Sequence, residues 1–326
     1  MLLKIFKSHH PFIIFFIPLF AFSIWFITFF NPHSHDYYIP DTNMFLYSWF
    51  TGLYNNNFFI SSILSLVLII IQTFLIIRIN FKYIFIRTRT YLPAFIYILI
   101  IGSYIPFHNL HPVIIGNLFL ILSINKFFIN KKEKNLISNY FEVGLLLSIG
   151  SLFYFNLIYC IVLIWISLLI LRTFYWREWF ISLIGLSFGY LILFIISFFN
   201  NSLDYTIDII FNNFKSFYLY PEISIFQLIF YSFLGFLIFI SVINLFFTIN
   251  MKKIQTRKYF GFFIWAIIIS VLFFVLIPSM SMDVLIIIAI PATYVLSDYY
   301  VNTKSKWWKE STFGILLALL ILQIIL

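Results

Sequence analysis

Long hydrophobic stretches separated by short polar segments dominate the sequence. Five stretches are long enough to cross about 30 Å of hydrocarbon as single helices; they are residues 12–30, 58–77, 179–199, 225–249 and 259–277. Six shorter stretches cover residues 91–105, 112–124, 141–155, 157–171, 284–296 and 313–326. Each of the shorter ones spans a membrane only if its neighbours bury it or the bilayer thins around it. The pattern predicts an all-α polytopic bundle of about 11 spans, forming one transmembrane domain over residues 1–326.

The distribution of charge predicts how this bundle is oriented. If the N-terminus is cytoplasmic, all but one of the 20 Lys and Arg residues fall in cytoplasmic segments, and Lys215 is the exception. This is the asymmetry expected of inner-membrane proteins. Removing any single span would place every later basic cluster on the wrong side, but removing a pair would go unnoticed. The pairs within 91–124 and 141–171 can therefore also be read as re-entrant hairpins or as single long helices.

Composition excludes several functional classes. With 63% hydrophobic residues and a mean hydropathy of +1.04, the chain has too little polar surface for a soluble domain. The net charge of +9 is explained by orientation, so it does not indicate a nucleic-acid-binding surface. Cys160 is the single cysteine, which excludes an intramolecular disulfide. No glycine-rich phosphate loop is present, which argues against ATP-driven transport by this chain alone.

The first predicted outside loop holds an unusual set of polar residues. His33, His35, Asp36 and Asp41 occur together there without any Lys or Arg. Residues 42–54 follow with apolar side chains at helical spacing, which predicts a short helix lying in the membrane interface. Asp41 is a candidate acid, although it can equally be read as the cap of that helix.

The loop after the seventh predicted span has a second organised pattern. Apolar residues recur on one side of a predicted helix, and the opposite side carries a polar stripe of Asp204, Asp208, Asn212 and Lys215. This pattern indicates a second interfacial helix, whose stripe faces either water or a lipid headgroup. Asp204, Asp208 and Lys215 are candidate substrate-binding residues.

A short outside turn, "PFHNLHPV", brings two further histidines close together in sequence. His108 and His111 are candidate substrate-binding residues at this turn. Neutral imidazole and carboxylate are suitable ligands for a divalent cation. His33 and His35 are therefore candidate metal ligands, together with Asp36, His108 and His111. Histidines in interfacial turns also commonly bind only headgroups or water.

Three acidic residues have structural interpretations. Asn139 and Glu142 are spaced as in a capping box, so Glu142 is expected to cap a helix start. Asp283 and Asp298 lie near the two ends of the tenth predicted span, where a carboxylate is expected to reach water.

Three quoted segments carry a resemblance to a known family. The stretches "HHPFIIFFIPL", "PDTNMFLYSWF" and "LILRTFYWREWFISLIG" resemble an uncharacterised polytopic inner-membrane family of Bacteroidota, which implies a multi-pass protein of the bacterial inner membrane. More distantly, the order of features is similar to the GT-C class of glycosyltransferases, which use polyprenyl-phosphate sugars. That resemblance implies a GT-C-like core over about residues 1–222, with additional spans over residues 223–326.

The GT-C resemblance assigns roles to individual residues. Asp41 or Asp36 matches the catalytic acid of the first outside loop, and Asp204, Asp208 and Lys215 fall in the later functional loop. The absence of any outside arginine departs from the class, so an inactive relative is also implied. Two other functions stay open, namely a non-enzymatic subunit of an envelope assembly or secretion complex, and a transporter or channel. The sequence names no cofactor beyond the candidate divalent metal and no partner other than membrane lipid or membrane proteins.

Cysteine labelling in cells tests the predicted topology. Cysteines at Ser34, His108, Asn212 and Ser281 should react with a membrane-impermeant maleimide from outside. Cysteines at Thr88, Asn130 and Thr256 should react only after the membrane is opened, because the basic clusters keep these segments inside. Labelling at position 130 in intact cells would contradict the spans at 91–105 and 112–124.

Overall fold

The computed structural model describes residues 12–30, 44–52, 57–128, 136–171, 175–215 and 224–325. These residues contain α-helices and short 3-10 turns, with no β-strand among them. The helices are α1 (Phe12–Phe30), α2 (Phe45–Gly52), α3 (Phe58–Tyr83), α4 (Leu92–Gly102), α5 (Pro112–Phe127), α6 (Leu136–Phe153), α7 (Ile161–Leu171), α8 (Trp176–Phe199), α9 (Leu203–Lys215), α10 (Ile225–Thr248), α11 (Ile254–Leu276), α12 (Val284–Asn302) and α13 (Lys306–Ile325). The predicted all-α fold class is confirmed.

Six helices within the described residues are long and apolar enough to cross a membrane: α3, α8, α10, α11, α12 and α13. The last two extend further than the hydrophobic pattern predicted, since α12 continues to Asn302 and α13 begins at Lys306. Such helices indicate a membrane protein. The number of crossings and the orientation stay predictions.

The two doubtful pairs of short stretches fold as separate helices. A 3-10 turn, Ile105–His108, separates α4 from α5, and a second one, Phe155–Cys160, lies between α6 and α7. Pro106 and Pro112 have no amide hydrogen, and extended backbone at Tyr104 and Tyr154 breaks each pair at the turn. The single-long-helix alternative is therefore wrong for both pairs.

The centre of the bundle is formed by α4 and α12. Every residue of α4 from Leu92 to Gly102 is buried, and so are most residues of α12. Helices that are apolar on all sides are expected at such a position. An aromatic cluster closes one end of this core, where the Phe85 ring packs edge-on against Tyr294 at 4.9 Å and against Phe263 at 5.0 Å.

Contacts between helix ends define two ends of the bundle. At one end Tyr83 donates to the Asn125 carbonyl at 2.7 Å, and Lys126 pairs with Glu142 at 2.5 Å. We call this the basic end, because the described Lys and Arg residues other than Lys215 belong to the helix ends and turns that meet there. The opposite end, which carries the turn with His108 and His111, is the histidine end.

Two structural expectations for acidic residues of the basic end are wrong. Glu142 does not cap a helix start, because α6 begins at Leu136 and the Glu142 carboxylate pairs with Lys126 instead. Asp298 is only 4% exposed and accepts from Lys252 at 2.6 Å and from Asn302 at 3.0 Å. Burial of a carboxylate requires such partners, because an unpaired buried charge is costly.

Helices α6 and α8 run parallel and pack through small residues. A Cβ added at Gly144 would overlap the Ser182 carbonyl oxygen, and one added at Gly185 would overlap that of Phe141. A Cβ added at Gly189 would overlap the side chain of Ser148. Close backbone approach through small residues is typical of helix pairs in membranes, where van der Waals contact replaces the hydrophobic effect.

Substitution of Gly185 tests this contact. Gly185→Ala should lower the free energy of unfolding by about 1 to 3 kcal/mol, because the new methyl group meets backbone that has no space to move. Gly235→Ala is the matched control, since nothing lies within 4 Å of an added Cβ at Gly235. Thermal unfolding in detergent measures both. Equal melting temperatures for the two variants would contradict the tight α6–α8 contact.

Candidate functional site

The turn that carries His108 and His111, residues 105–111, is fixed to α3 by three serines; we call it the histidine turn. Ser62 donates to the Asn109 side-chain oxygen at 2.8 Å, and Ser65 donates to the Phe107 carbonyl at 2.5 Å. Ser61 accepts from the Leu110 amide at 2.9 Å. The polar groups freed where the helix breaks are thereby satisfied by a neighbouring helix, as an apolar environment requires.

His108 is fully buried within this turn. Its ring stacks on Trp25 with 4.3 Å between centroids. Because the carbonyl of Gly102, 2.9 Å from Nε2, can only accept, Nε2 carries the hydrogen and Nδ1 accepts from Thr28 at 2.5 Å. This placement argues against the predicted substrate-binding role of His108, since both nitrogens are occupied. It also removes position 108 from the labelling test.

His111 caps α5 and faces a carboxylate. Its Nδ1 accepts from the Val113 amide at 3.4 Å, so Nε2 carries the ring hydrogen. The Nε2 atom lies 3.7 Å from Oδ1 of Asp283. Both side chains are 6% exposed. Burial lowers the pKa of the His111 imidazole, and the Asp283 charge opposes that shift. The expectation that Asp283 reaches water is wrong, because the turn before α12 folds it inward.

Three further polar residues complete the surroundings of this pair. Asp283 receives a hydrogen bond from Tyr154, and Tyr154 in turn accepts from the Asn156 amide at 3.2 Å. Asn156 also donates to the Ser279 carbonyl at 2.9 Å, and the Ser279 hydroxyl donates back to it at 3.1 Å. We call His111, Tyr154, Asn156, Ser279 and Asp283 the polar cluster. It joins the histidine turn to the 3-10 turns Phe155–Cys160 and Pro278–Asp283.

Backbone strain occurs beside the polar cluster. Ser281 adopts φ 35° and ψ −130°, inside the turn that leads to Asp283. A non-glycine residue in this region costs about 1–3 kcal/mol and is retained only where its surroundings impose it. The hydrogen bonds of Ser279 and the pairing of Asp283, on either side of Ser281, are those surroundings.

Further contacts connect the first loop and α9 to the same end. Tyr47 of α2 donates to the Leu110 carbonyl at 2.9 Å. The Asn213 amide of α9 lies 3.5 Å from the sulfur of Met44, and the Phe214 ring packs edge-on against Phe155 at 4.6 Å.

Together with the polar cluster, these contacts form a closed circuit, which we call the five-segment ring. Its members are residues 44–52, 105–111, 154–160, 203–215 and 278–283. The contacts of the ring join residues that are far apart in sequence, with 169 positions between Met44 and Asn213 and 172 between His111 and Asp283.

The predicted stripe on α9 lies at the surface of this ring. Asp204, Asp208 and Lys215 are all exposed. The side of α9 that is buried carries Thr206 and Asn213, whereas the apolar residues Ile207, Phe211 and Phe214 remain 40–58% exposed. An apolar surface left uncovered beside a polar stripe is typical of a helix that lies in a membrane interface.

Four predicted site residues lie outside the described residues: His33, His35, Asp36 and Asp41. The described chain resumes at Met44, which belongs to the five-segment ring. Within the described residues, no group of three His, Cys, Asp or Glu side chains could hold a metal ion. A divalent metal at His33 and His35 stays a prediction.

Sequence reasoning missed a polar network in the middle of the bundle. Gln72 of α3 accepts from Tyr97 at 2.5 Å and from Asn117 at 3.1 Å, and it donates to the Ile114 carbonyl at 2.6 Å. It also missed the polar cluster. For the polar cluster, the available signal was the polar residues at each break between short apolar stretches. Composition alone does not distinguish such a buried turn from a surface loop.

The long apolar helices and the ring indicate an α-helical membrane protein with one polar, interlocked end. The chain belongs to the family of unknown function DUF6427, whose model matches residues 37–325. No curated protein and no solved structure matches it. The matched region includes Asp41 and the whole five-segment ring, whereas His33, His35 and Asp36 precede it.

A double-mutant cycle tests the His111–Asp283 pair. His111→Leu should cost about 1–3 kcal/mol of unfolding free energy, because the buried Asp283 carboxylate loses the facing imidazole and keeps the Tyr154 hydroxyl. The double variant His111→Leu/Asp283→Leu should be more stable than the sum of the single effects by at least about 1 kcal/mol. Chemical or thermal unfolding in detergent measures the cycle. Asp204→Leu, on the exposed stripe, is the control for removing a carboxylate, and additive single effects would contradict the pairing.

Proposed function

We propose that the protein is a GT-C-like glycosyltransferase, or an inactive relative of one, that uses a polyprenyl-phosphate-linked sugar at the histidine end. One observation supports this proposal above the others. The five-segment ring joins the first-loop helix, the histidine turn and α9, which are the described parts of the three loops in which the sequence places candidate site residues. The ring thereby brings these three loops to one end of the bundle.

The proposed chemistry divides between the first loop and α9. A carboxylate of Asp41 or Asp36 takes the proton from an acceptor hydroxyl, whose oxygen then bonds to the sugar C1. The bond between C1 and the phosphate oxygen breaks, and the polyprenyl phosphate leaves with its electron pair. Lys215 is the basic side chain at the histidine end within the described residues, so it is assigned to the phosphate. Asp204 and Asp208 are assigned to the acceptor.

In this scheme, His108 and His111 have a structural role. His108 and His111 use their nitrogens to hold the turn against α1 and Asp283, so they build the site and do not contact the phosphate. The histidine end is assigned to the outer leaflet of the bacterial inner membrane, with about 11 crossings and a cytoplasmic N-terminus. This orientation places the stripe on α9 at the level of lipid headgroups.

A non-enzymatic membrane subunit of an envelope assembly or secretion complex is the second candidate. It is favoured by the engagement of both histidines, which leaves Lys215 as the single cationic group for a phosphate among the described residues of that end. A transporter or channel has less support, because the described network in the middle of the bundle consists of Gln72, Tyr97 and Asn117 and contains no carboxylate or basic group.

The decisive assay is transfer of a labelled sugar from polyprenyl phosphate by the purified protein. Asp41→Asn or Asp36→Asn should lower the rate by about 100-fold or more, because asparagine retains the size but cannot accept the proton. Asp41→Ser distinguishes a base from a helix cap, since serine caps a helix nearly as well as aspartate but is no base.

Glu310→Gln is the matched control, because it removes an exposed carboxylate at the basic end. All variants should show the parent's thermal unfolding. No transfer by the parent with a panel of lipid-linked sugars would favour the non-enzymatic subunit.

A further inference from the structure

A groove at the basic end, between α5 and α6, is separate from the five-segment ring. It has a volume of about 270 Å³ and is lined by Leu122, Asn125, Lys126, Glu142, Leu145 and Leu146. Its polar residues come from the last turn of α5 and the second turn of α6. The groove therefore begins at the bundle end and continues between two helices toward the middle.

Polarity changes along the groove in one direction. Leu122 lies one helical turn before Lys126 on α5, and Leu145 and Leu146 lie one turn after Glu142 on α6. One turn is about 5.4 Å of rise, and on both helices it leads away from the basic end. A charged mouth with an apolar floor nearer the membrane centre has the same polarity gradient as a phospholipid, whose headgroup lies at the interface and whose acyl chains lie deeper.

The mouth carries charges of both signs with unused hydrogen-bonding capacity. Lys126 and Glu142 form an ion pair at 2.5 Å, yet their side chains remain 34% and 45% exposed. The ammonium of Lys126 has three donors and this pair uses one of them, and a carboxylate accepts several hydrogen bonds. The side-chain oxygen of Asn125 is buried and has no hydrogen-bond partner among the described residues.

We propose that this groove binds a zwitterionic phospholipid with a primary ammonium headgroup, a phosphatidylethanolamine, from the leaflet at the basic end. Lys126 donates to the lipid phosphate. The lipid ammonium donates to Glu142 and to the unpartnered oxygen of Asn125, and one acyl chain contacts the three leucines. A trimethylammonium headgroup has no N–H to donate, and a glycerol headgroup has no positive charge for Glu142. The charges of the mouth therefore favour the primary ammonium over both.

Native mass spectrometry of the delipidated, purified protein tests the proposal. Phosphatidylethanolamine, phosphatidylcholine and phosphatidylglycerol with identical acyl chains are added in equal amounts. The parent should retain phosphatidylethanolamine about two- to fivefold more than phosphatidylcholine, the range expected for charged hydrogen bonds at a partly exposed site. Glu142→Gln should abolish that preference, whereas Lys126→Gln should weaken binding of all three lipids.

Lys253→Gln is the matched control, because Lys253 is an exposed lysine of the basic end that does not line the groove. Leu146→Trp fills the apolar floor and should weaken binding of every lipid. Thermal unfolding confirms that each variant is folded, and Glu142→Gln changes a partly exposed side chain without changing its size. Equal retention of phosphatidylethanolamine and phosphatidylcholine by the parent, or a preference for phosphatidylglycerol, would overturn the proposal, as would identical behaviour of Lys126→Gln and Lys253→Gln.

Discussion

The structure depends on how the polar backbone groups at broken helices are satisfied inside an apolar bundle. Where α4 and α6 end, hydrogen-bonding groups are freed in surroundings with little water, and each unsatisfied group there costs several kcal/mol. Serines of α3 satisfy the Phe107 carbonyl and the Leu110 amide at the first break. Asn156, at the second break, satisfies the Ser279 carbonyl of the turn before α12. The same bonds that stabilise the breaks also join the breaks to one another. The polar cluster is thus a structural requirement of short helices before it is a site.

The two ends of the bundle solve different electrostatic problems. At the basic end, two carboxylates are paired with lysines, Glu142 with Lys126 and Asp298 with Lys252, so the charge of each is compensated. At the histidine end, the buried carboxylate Asp283 faces a neutral imidazole and a tyrosine, and the single described lysine lies out on α9. A shortage of Lys and Arg is the pattern on which the predicted orientation of this end depends. It also limits how strongly that surface attracts phosphate.

Much of the fold follows from the hydrophobic pattern, because helix length and apolar content are local properties. The helices at 58–83, 176–199, 225–248 and 254–276 begin and end within six residues of the predicted stretches. The histidine turn and the helix at 203–215 were also recognisable, since proline and amphipathic spacing mark them. The pairing of Asp283 with His111 was not, because it depends on which helices become neighbours, and 172 positions separate the two residues in the sequence. For the same reason Asp298 and Glu142 were assigned to water and to a cap, whereas each found a lysine from another element.

The parallel contact between α6 and α8 has a consequence for how the chain assembles. Both helices run from the basic end to the histidine end. In the chain, α7 lies between them and crosses back to the basic end, so it is made before α8. The glycine surface of α6 therefore contacts lipid or other helices until α7 and α8 have been synthesised. Lipid tolerates this delay, because a glycine and a methylene are both apolar and no water must be expelled later. The close contact between α6 and α8 therefore forms late in biogenesis. When it forms, it fixes α7 beside the helix pair.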